Sequence, residues 1–229
     1  MALLLPLLSF SQENRFTTTG KAPIFIELVG TTGGSQMIRV DNNTKLDAVE
    51  GYPYLVKEFL SGQIHLKDGR ETSLIPLRYN IVNNQIEAMK DKQIVGITNV
   101  NKIDYITING IHYEYINTED GENYIFQVLI NGGCKLLKKY QCTFSPANYN
   151  VSMDAGHKTP YYTKSHNLYI QITDNTPIKI KKSSKSILKA IGDKKDELKK
   201  YIKDNKLSMK NELDIKKVVN YYNILLTQE

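Results

Sequence analysis

Residues 103–130 read IDYITINGIHYEYINTEDGENYIFQVLI, and the fold is decided here. Runs rich in β-branched and aromatic residues, among them 103–108, the stretch around Tyr113 and Tyr115, and 124–130, are parted by Asn109-Gly110 and Asp120-Gly121. Such pairs reach the positive φ angles of tight hairpin turns at little steric cost, so the stretch is predicted to be an antiparallel meander. In Ile103-Asp104-Tyr105-Ile106-Thr107-Ile108 both faces are largely apolar, which predicts a central strand or one covered on its second side, with something expected to pack over it.

The same punctuation extends in both directions. Turn signals recur at Asp68-Gly69, Asn83-Asn84, Asp91-Lys92, Asn131-Gly132-Gly133, His166-Asn167 and Asp174-Asn175. Alternation in Ile64/Leu66 against His65/Lys67, in Tyr124/Phe126/Val128/Ile130, and in Leu168/Ile170/Ile172 against Tyr169/Gln171/Thr173 predicts strands with one buried face. Past Lys181 the period changes. Ile187, Ile191, Leu198, Tyr201 and Ile202, then Ile215, Val218, Val219, Tyr222, Leu225 and Leu226, fall at helical spacing. Three short amphipathic helices are expected, with Gly192 ending the first and Asp193 and Ser208 placed to cap the second and third. The expected fold is mainly β: an antiparallel meander (sheet, sandwich or open barrel) with a short α-helical C-terminal segment packed on it. Residues 12–181 make the β domain and 182–229 the helical segment.

A chain of 229 residues, 41% of them hydrophobic, can bury one sizeable core without metals or disulfides. Residues 179–229 hold 14 Lys against 7 acids, so the basic character behind the net charge of +6 belongs to the tail. Cys134 and Cys142 are the two cysteines, eight apart on one expected strand, so their Cα atoms lie roughly 26 Å apart and cannot be bridged. At the start, an apolar run over 2–8 followed by Ser9-Phe10-Ser11 reads as a signal peptide over 1–11, with the mature chain beginning at Gln12. The other reading of so short a run is a buried strand or helix. No basic residue precedes it, so the true start is expected upstream. Export follows from the leader: periplasmic, outer-membrane-associated or secreted. No later segment reaches transmembrane length.

Leu77-Arg78-Tyr79-Asn80 in the β region, a Lys-rich helical tail closing on Tyr221-Tyr222-Asn223, and the Phe10-Ser11-Gln12 junction together resemble uncharacterised exported proteins of Bacteroidota. From about Tyr52 onward the resemblance implies compartment and architecture, and no activity.

Little in the chain carries recognisable chemistry. His65, His112, His157 and His166 are scattered, with no HExxH or GxSxG, so no catalytic residue, metal ligand or cofactor site is assigned. Thr31-Thr32-Gly33-Gly34-Ser35 lacks the Lys of a phosphate-binding loop and reads as a hairpin loop. The irregular stretch 144–160 is the place where loop chemistry would gather, which makes Tyr149, Asp154, His157, Tyr161 and Tyr162 the candidate ligand-binding residues. The tail lysines, among them Lys194, Lys195, Lys199 and Lys200, alternate with acids and include no Arg, which argues against nucleic acid. A solvated face, or weak contact with anionic envelope components, is their expected use. The leading functional expectation is a non-enzymatic exported binding or envelope-associated structural module. Its rival is a periplasmic hydrolase-like enzyme with a site on the 144–160 loop.

Overall fold

Asn109 (φ 50°) and Gly110 (φ 74°) close the expected tight turn, and Gly121 (φ 80°) closes the next. The structure is a computed structural model describing residues 28–30 and 49–228. The leader at 1–11 and the loop at 31–35 lie outside the described residues. Eleven strands form one antiparallel sheet: β1 (Val29–Gly30), β2 (Leu60–Leu66), β3 (Ile75–Asn80), β4 (Gln85–Lys90), β5 (Gln93–Ile97), β6 (Ile103–Ile108), β7 (Ile111–Asn117), β8 (Asn123–Ile130), β9 (Cys134–Ser145), β10 (Tyr161–Ile172) and β11 (Ile178–Ile180). Their order is β1-β5-β4-β3-β2-β6-β7-β8-β9-β10-β11, so β6 is central. Ile103, Ile106 and Ile108 are buried on one side of it, and Tyr105 on the other lies between the rings of His65 and His112, at 4.1 and 4.4 Å.

The first half of the sheet curls on itself into an open barrel. Between β3 and β4, the Asn84 amide donates to Asn123 O at 2.7 Å and accepts from Ile125 N at 3.1 Å, clasping the turn to the start of β8. Inside lie Ile64, Leu77, Ile86, Ile106 and Ile125, all essentially unexposed. A second core lies beyond. Cys134, Leu136, Leu168 and Ile170 of the sheet are covered by α1 (Ser184–Ile191), α2 (Lys195–Asp204) and α3 (Glu212–Leu226). Helix α3 supplies Ile215, Val218, Val219 and Tyr222 and is pinned at both ends. Lys138 meets Glu212 at 2.8 Å, and the Asn223 amide accepts from Cys134 N at 2.8 Å and donates to Cys134 O at 2.9 Å. The inner face of the long β9–β10 hairpin therefore serves both cores, since Tyr140 and Cys142 pack against the barrel core.

Outside the barrel, the segment before β2 is held by a buried charge. Arg78 on β3 sits opposite Glu87 on β4, with Nη2 at 2.5 Å and Nε at 3.1 Å from the same carboxylate oxygen, while Asn80 donates to the other at 2.8 Å. The rings of Tyr54 and Phe59 lie 3.5 and 4.2 Å from the guanidinium carbon, and Lys57 O accepts from Nη1 at 3.2 Å. Arg78 is only 8% exposed, so the pair is structural and desolvated.

Four expectations are corrected. His166-Asn167 is no turn: β10 runs unbroken from Tyr161 to Ile172, with His166 opposite Tyr140, because pairing with β9 overrides local turn preference. Strand β8 buries both faces, Ile125 in the barrel and Phe126 beneath Tyr169 on the outside. Helix α2 is preceded by Lys194 in the left-handed region with no side-chain cap, so Asp193 does not cap it. Helix α3 is capped by Asn211, which accepts from Leu213 N at 3.0 Å, because 208–211 form a turn before it. Ser208 instead donates its N–H to Asp214 at 3.0 Å.

Candidate functional site

The β9–β10 hairpin continues past its regular strands through residues 146–160. Its shape is set by two asparagines whose short amides replace backbone partners. Asn148 accepts from His157 N at 2.8 Å and donates its own N–H to His157 O at 3.0 Å. Asn150 pairs with Ala155, and its Oδ1 accepts from Ser152 N at 2.9 Å and Met153 N at 3.2 Å. Gly156, at φ 97°, lets the two sides approach, since a Cβ there would meet Asn148 O at 2.5 Å. The base of the extension is tied to the body. Glu50 donates its N–H to Pro160 O and accepts from Tyr162 N, both at 2.9 Å, and its carboxylate accepts from Thr159 Oγ1 at 2.6 Å.

The five residues singled out by sequence fall into three separate contacts. The Tyr149 hydroxyl donates to the Asp154 carboxylate, which holds the phenol above its ordinary value, and Lys158 Nζ lies 4.6 Å from that ring. His157 packs its imidazole on Tyr161, with ring centroids 4.0 Å apart. Tyr162 turns to Phe144 at 5.2 Å, and burial, then Cys142 and Tyr54, push its phenol up. Asp154 and His157 do not meet, so the acid–base couple that a hydrolytic site on this loop needs is not assembled among the described residues.

The tip was not singled out by sequence. Val151 and Met153 are 82% and 77% exposed, the most exposed large apolar side chains among the described residues. Their signal was legible as two isolated apolar residues at alternate positions in an otherwise polar loop, Asn150 to Asp154. A hydrogen-bonded backbone thus presents two exposed apolar side chains at the tip.

Other polar groups serve the sheet. Burial pushes the Cys134 thiol up to about 12 and raises Cys142 as well, so neither is an activated nucleophile. Among the described residues no group of three or more His, Cys, Asp or Glu is placed to hold a metal ion, and no helix is long and apolar enough to cross a membrane. On the outer face, Glu114 receives Lys135 Nζ at 2.6 Å and lies 3.1 Å from His112 Nε2. Burial raises its pKa, but the hydrogen bonds from His112 and Lys135 outweigh that and leave the carboxyl below its ordinary 4.5. A depressed folded value means the stabilisation is present above the unfolded value and is lost as pH falls through the folded one. Wild type is therefore expected to lose more stability than Glu114→Gln between about pH 6 and about pH 3, as read by urea unfolding. Parallel decline of the two proteins would remove this group from the account.

No family model matches the chain, no curated protein matches it, and no solved structure matches it.

Proposed function

We propose that this chain is an exported, non-enzymatic binding module that engages a macromolecular partner through the tip of the β9–β10 hairpin. The observation that carries the reading is the exposure of Val151 and Met153 on a loop whose backbone is tied by Asn148, Asn150 and Glu50. Preorganised backbone keeps the entropy cost of docking low, and each aliphatic side chain fully buried at an interface contributes about 1.5 to 3 kcal/mol. The leader-like run over 1–11 supports export. The exposed lysines of α1 and α2, among them Lys185, Lys195, Lys199 and Lys200, are consistent with an anionic envelope surface nearby.

Photo-crosslinking tests the reading in cells producing the full-length chain. A photoreactive residue at position 151 or 153 is expected to give a discrete adduct in the envelope fraction, and one at the exposed Lys195 is not. Substituting both Val151 and Met153 by Ser is expected to abolish partner capture while changing stability by less than about 0.5 kcal/mol. Retention in the cytoplasm, or equal crosslinking at all three positions, defeats the proposal.

A further inference from the structure

Among the described residues, strand β10 is fully paired on one side only. All twelve of its residues face β9, whereas its other edge meets Glu50 beside Tyr161 and then β11 beside residues 168–170. Tyr162 N–H points to Glu50 O, away from β9. Pairing with β9 continues without irregularity, so by alternation the N–H and C=O groups of Lys164 and His166 also point outward. No described residue takes them. Residues 163–166 are exposed, and the open stretch from Tyr162 to Leu168 measures about 20 Å at about 3.3 Å per residue.

Local chemistry keeps the slot open at both ends. Gly51, at φ 79°, lifts the incoming chain off the edge, so that the ring of Tyr52 lies 3.4 Å from Lys164 Nζ on the face of the hairpin. A side chain at Gly51 would be strained there. At the far end β11 stops at Ile180, where Lys181 N–H turns to Ser186 Oγ at 2.9 Å and Ser183 caps α1. The edge left open among the described residues is thus bounded by two short paired segments.

Its charge is one-sided. The side chains of Lys164 and His166 stand on the sheet face beside it, Lys164 over the Tyr52 ring and His166 against Tyr140, and the charged neighbours acting on His166 are Lys138, Lys182 and Glu212. Glu212 is already bound to Lys138 at 2.8 Å, which leaves Lys182, and Lys164 apart from its contact with the Tyr52 ring, without an acidic partner among the described residues. A second copy of the chain pairing edge to edge about Ser165 would set each Lys164 opposite the other copy's His166, the residue beside which Lys182 lies, and so bring Lys164 and Lys182 of different copies together. Like charges so placed oppose pairing.

We propose that residues 163–167 of β10 form a strand-addition site for an extended, acidic peptide segment of a partner protein. The segment exchanges main-chain hydrogen bonds with Lys164 and His166 and places alternate carboxylates near Lys164 and Lys182. This site uses no residue of the hairpin tip.

The probe is a capped heptapeptide alternating Glu and Val, titrated into the isotope-labelled full-length chain, with an alternating Lys and Val peptide as control. The Glu peptide is expected to slow hydrogen exchange of the Lys164 and His166 amides, and the Lys peptide to leave them unchanged. Proline at 166 removes an outward N–H while sparing the ladder to β9, so His166→Pro is expected to weaken binding at least about tenfold. If that variant does not fold, the Lys164→Glu and Lys182→Glu pair, which keeps the backbone intact, is expected to reverse the preference between peptides. Val151→Ser with Met153→Ser is expected to bind the Glu peptide as wild type does, which separates this site from the tip. Equal binding of the two peptides, protection that instead grows with protein concentration alone, or unchanged amides with either peptide overturns the proposal.

Discussion

Arg78→Ala is expected to lower the unfolding free energy by about 3 to 5 kcal/mol, because it leaves the Glu87 carboxylate buried with Asn80 alone for company. The loss has two further parts: the stacked rings of Tyr54 and Phe59 lose the plane between them, and Lys57 O loses a donor. Urea unfolding of the variant measures the total. Arg78→Met combined with Glu87→Leu removes both charges at similar volume and is expected to cost clearly less than the single change. If the double variant is the less stable one, the ion pair itself stabilises the barrel, and the burial penalty is smaller than argued.

Tyr222→Ala is the second large effect. This ring is 2% exposed in the helix-covered core, and truncating a large buried aromatic costs about 3 to 5 kcal/mol through lost transfer energy and the cavity left behind. The mode of unfolding is as informative as its size. Because α3 is fastened to β9 through both Glu212 and Asn223, the helices and the barrel are expected to melt in one transition in wild type and variant alike, followed by near- and far-ultraviolet circular dichroism. A separate early transition in the far-ultraviolet signal would show the helices to be an appendage. Asn223→Ala, which orphans both main-chain groups of Cys134, is expected to be milder, at about 1 to 3 kcal/mol.

Much of the architecture was legible in the sequence because its signals are local. Asn109-Gly110 and Asp120-Gly121 dictate positive φ by themselves, and the change of period after Lys181 needs no knowledge of what the helices cover. Where a tertiary partner decides, reading failed. His166-Asn167 has turn-like composition, yet twelve consecutive pairings with β9 hold it straight. Phe126 alternates as a one-faced strand residue should, but Ile125 beside it is buried too, since the barrel closes on that side. Helix starts were misplaced by three residues or fewer, because a capping side chain is recognised only once the chain's entry direction is known.

Candidate site residues show the same division. The irregular stretch read at 144–160 is the hairpin extension 146–160, since Phe144 and Ser145 still pair within β9, and chemical type alone could not say which side chains meet. Asp154 turned to Tyr149 rather than to His157 because the Asn150–Ala155 bridge folds 154 back beside the segment that carries 149. The open edge at Lys164 and His166 was invisible for a deeper reason. An unpaired strand edge is a property of which neighbours stop short, and here that rests on Gly51 and on the capping of α1 by Ser183, far apart in sequence.

The sharing of β9 between two cores has a consequence for how faithfully the sheet assembles. A one-residue slip of β9 would carry Cys134, Leu136, Tyr140 and Cys142 outward together and drive Lys135, Lys139 and Gln141 into both cores at once, so the error is penalised twice. A two-residue slip keeps the facing pattern, yet it pulls Lys138 from Glu212 and Cys134 from the Asn223 amide. Register is thus proofread by the helices as well as by the barrel, and the C-terminal segment acts as a template gauge for a hairpin completed before it in the chain.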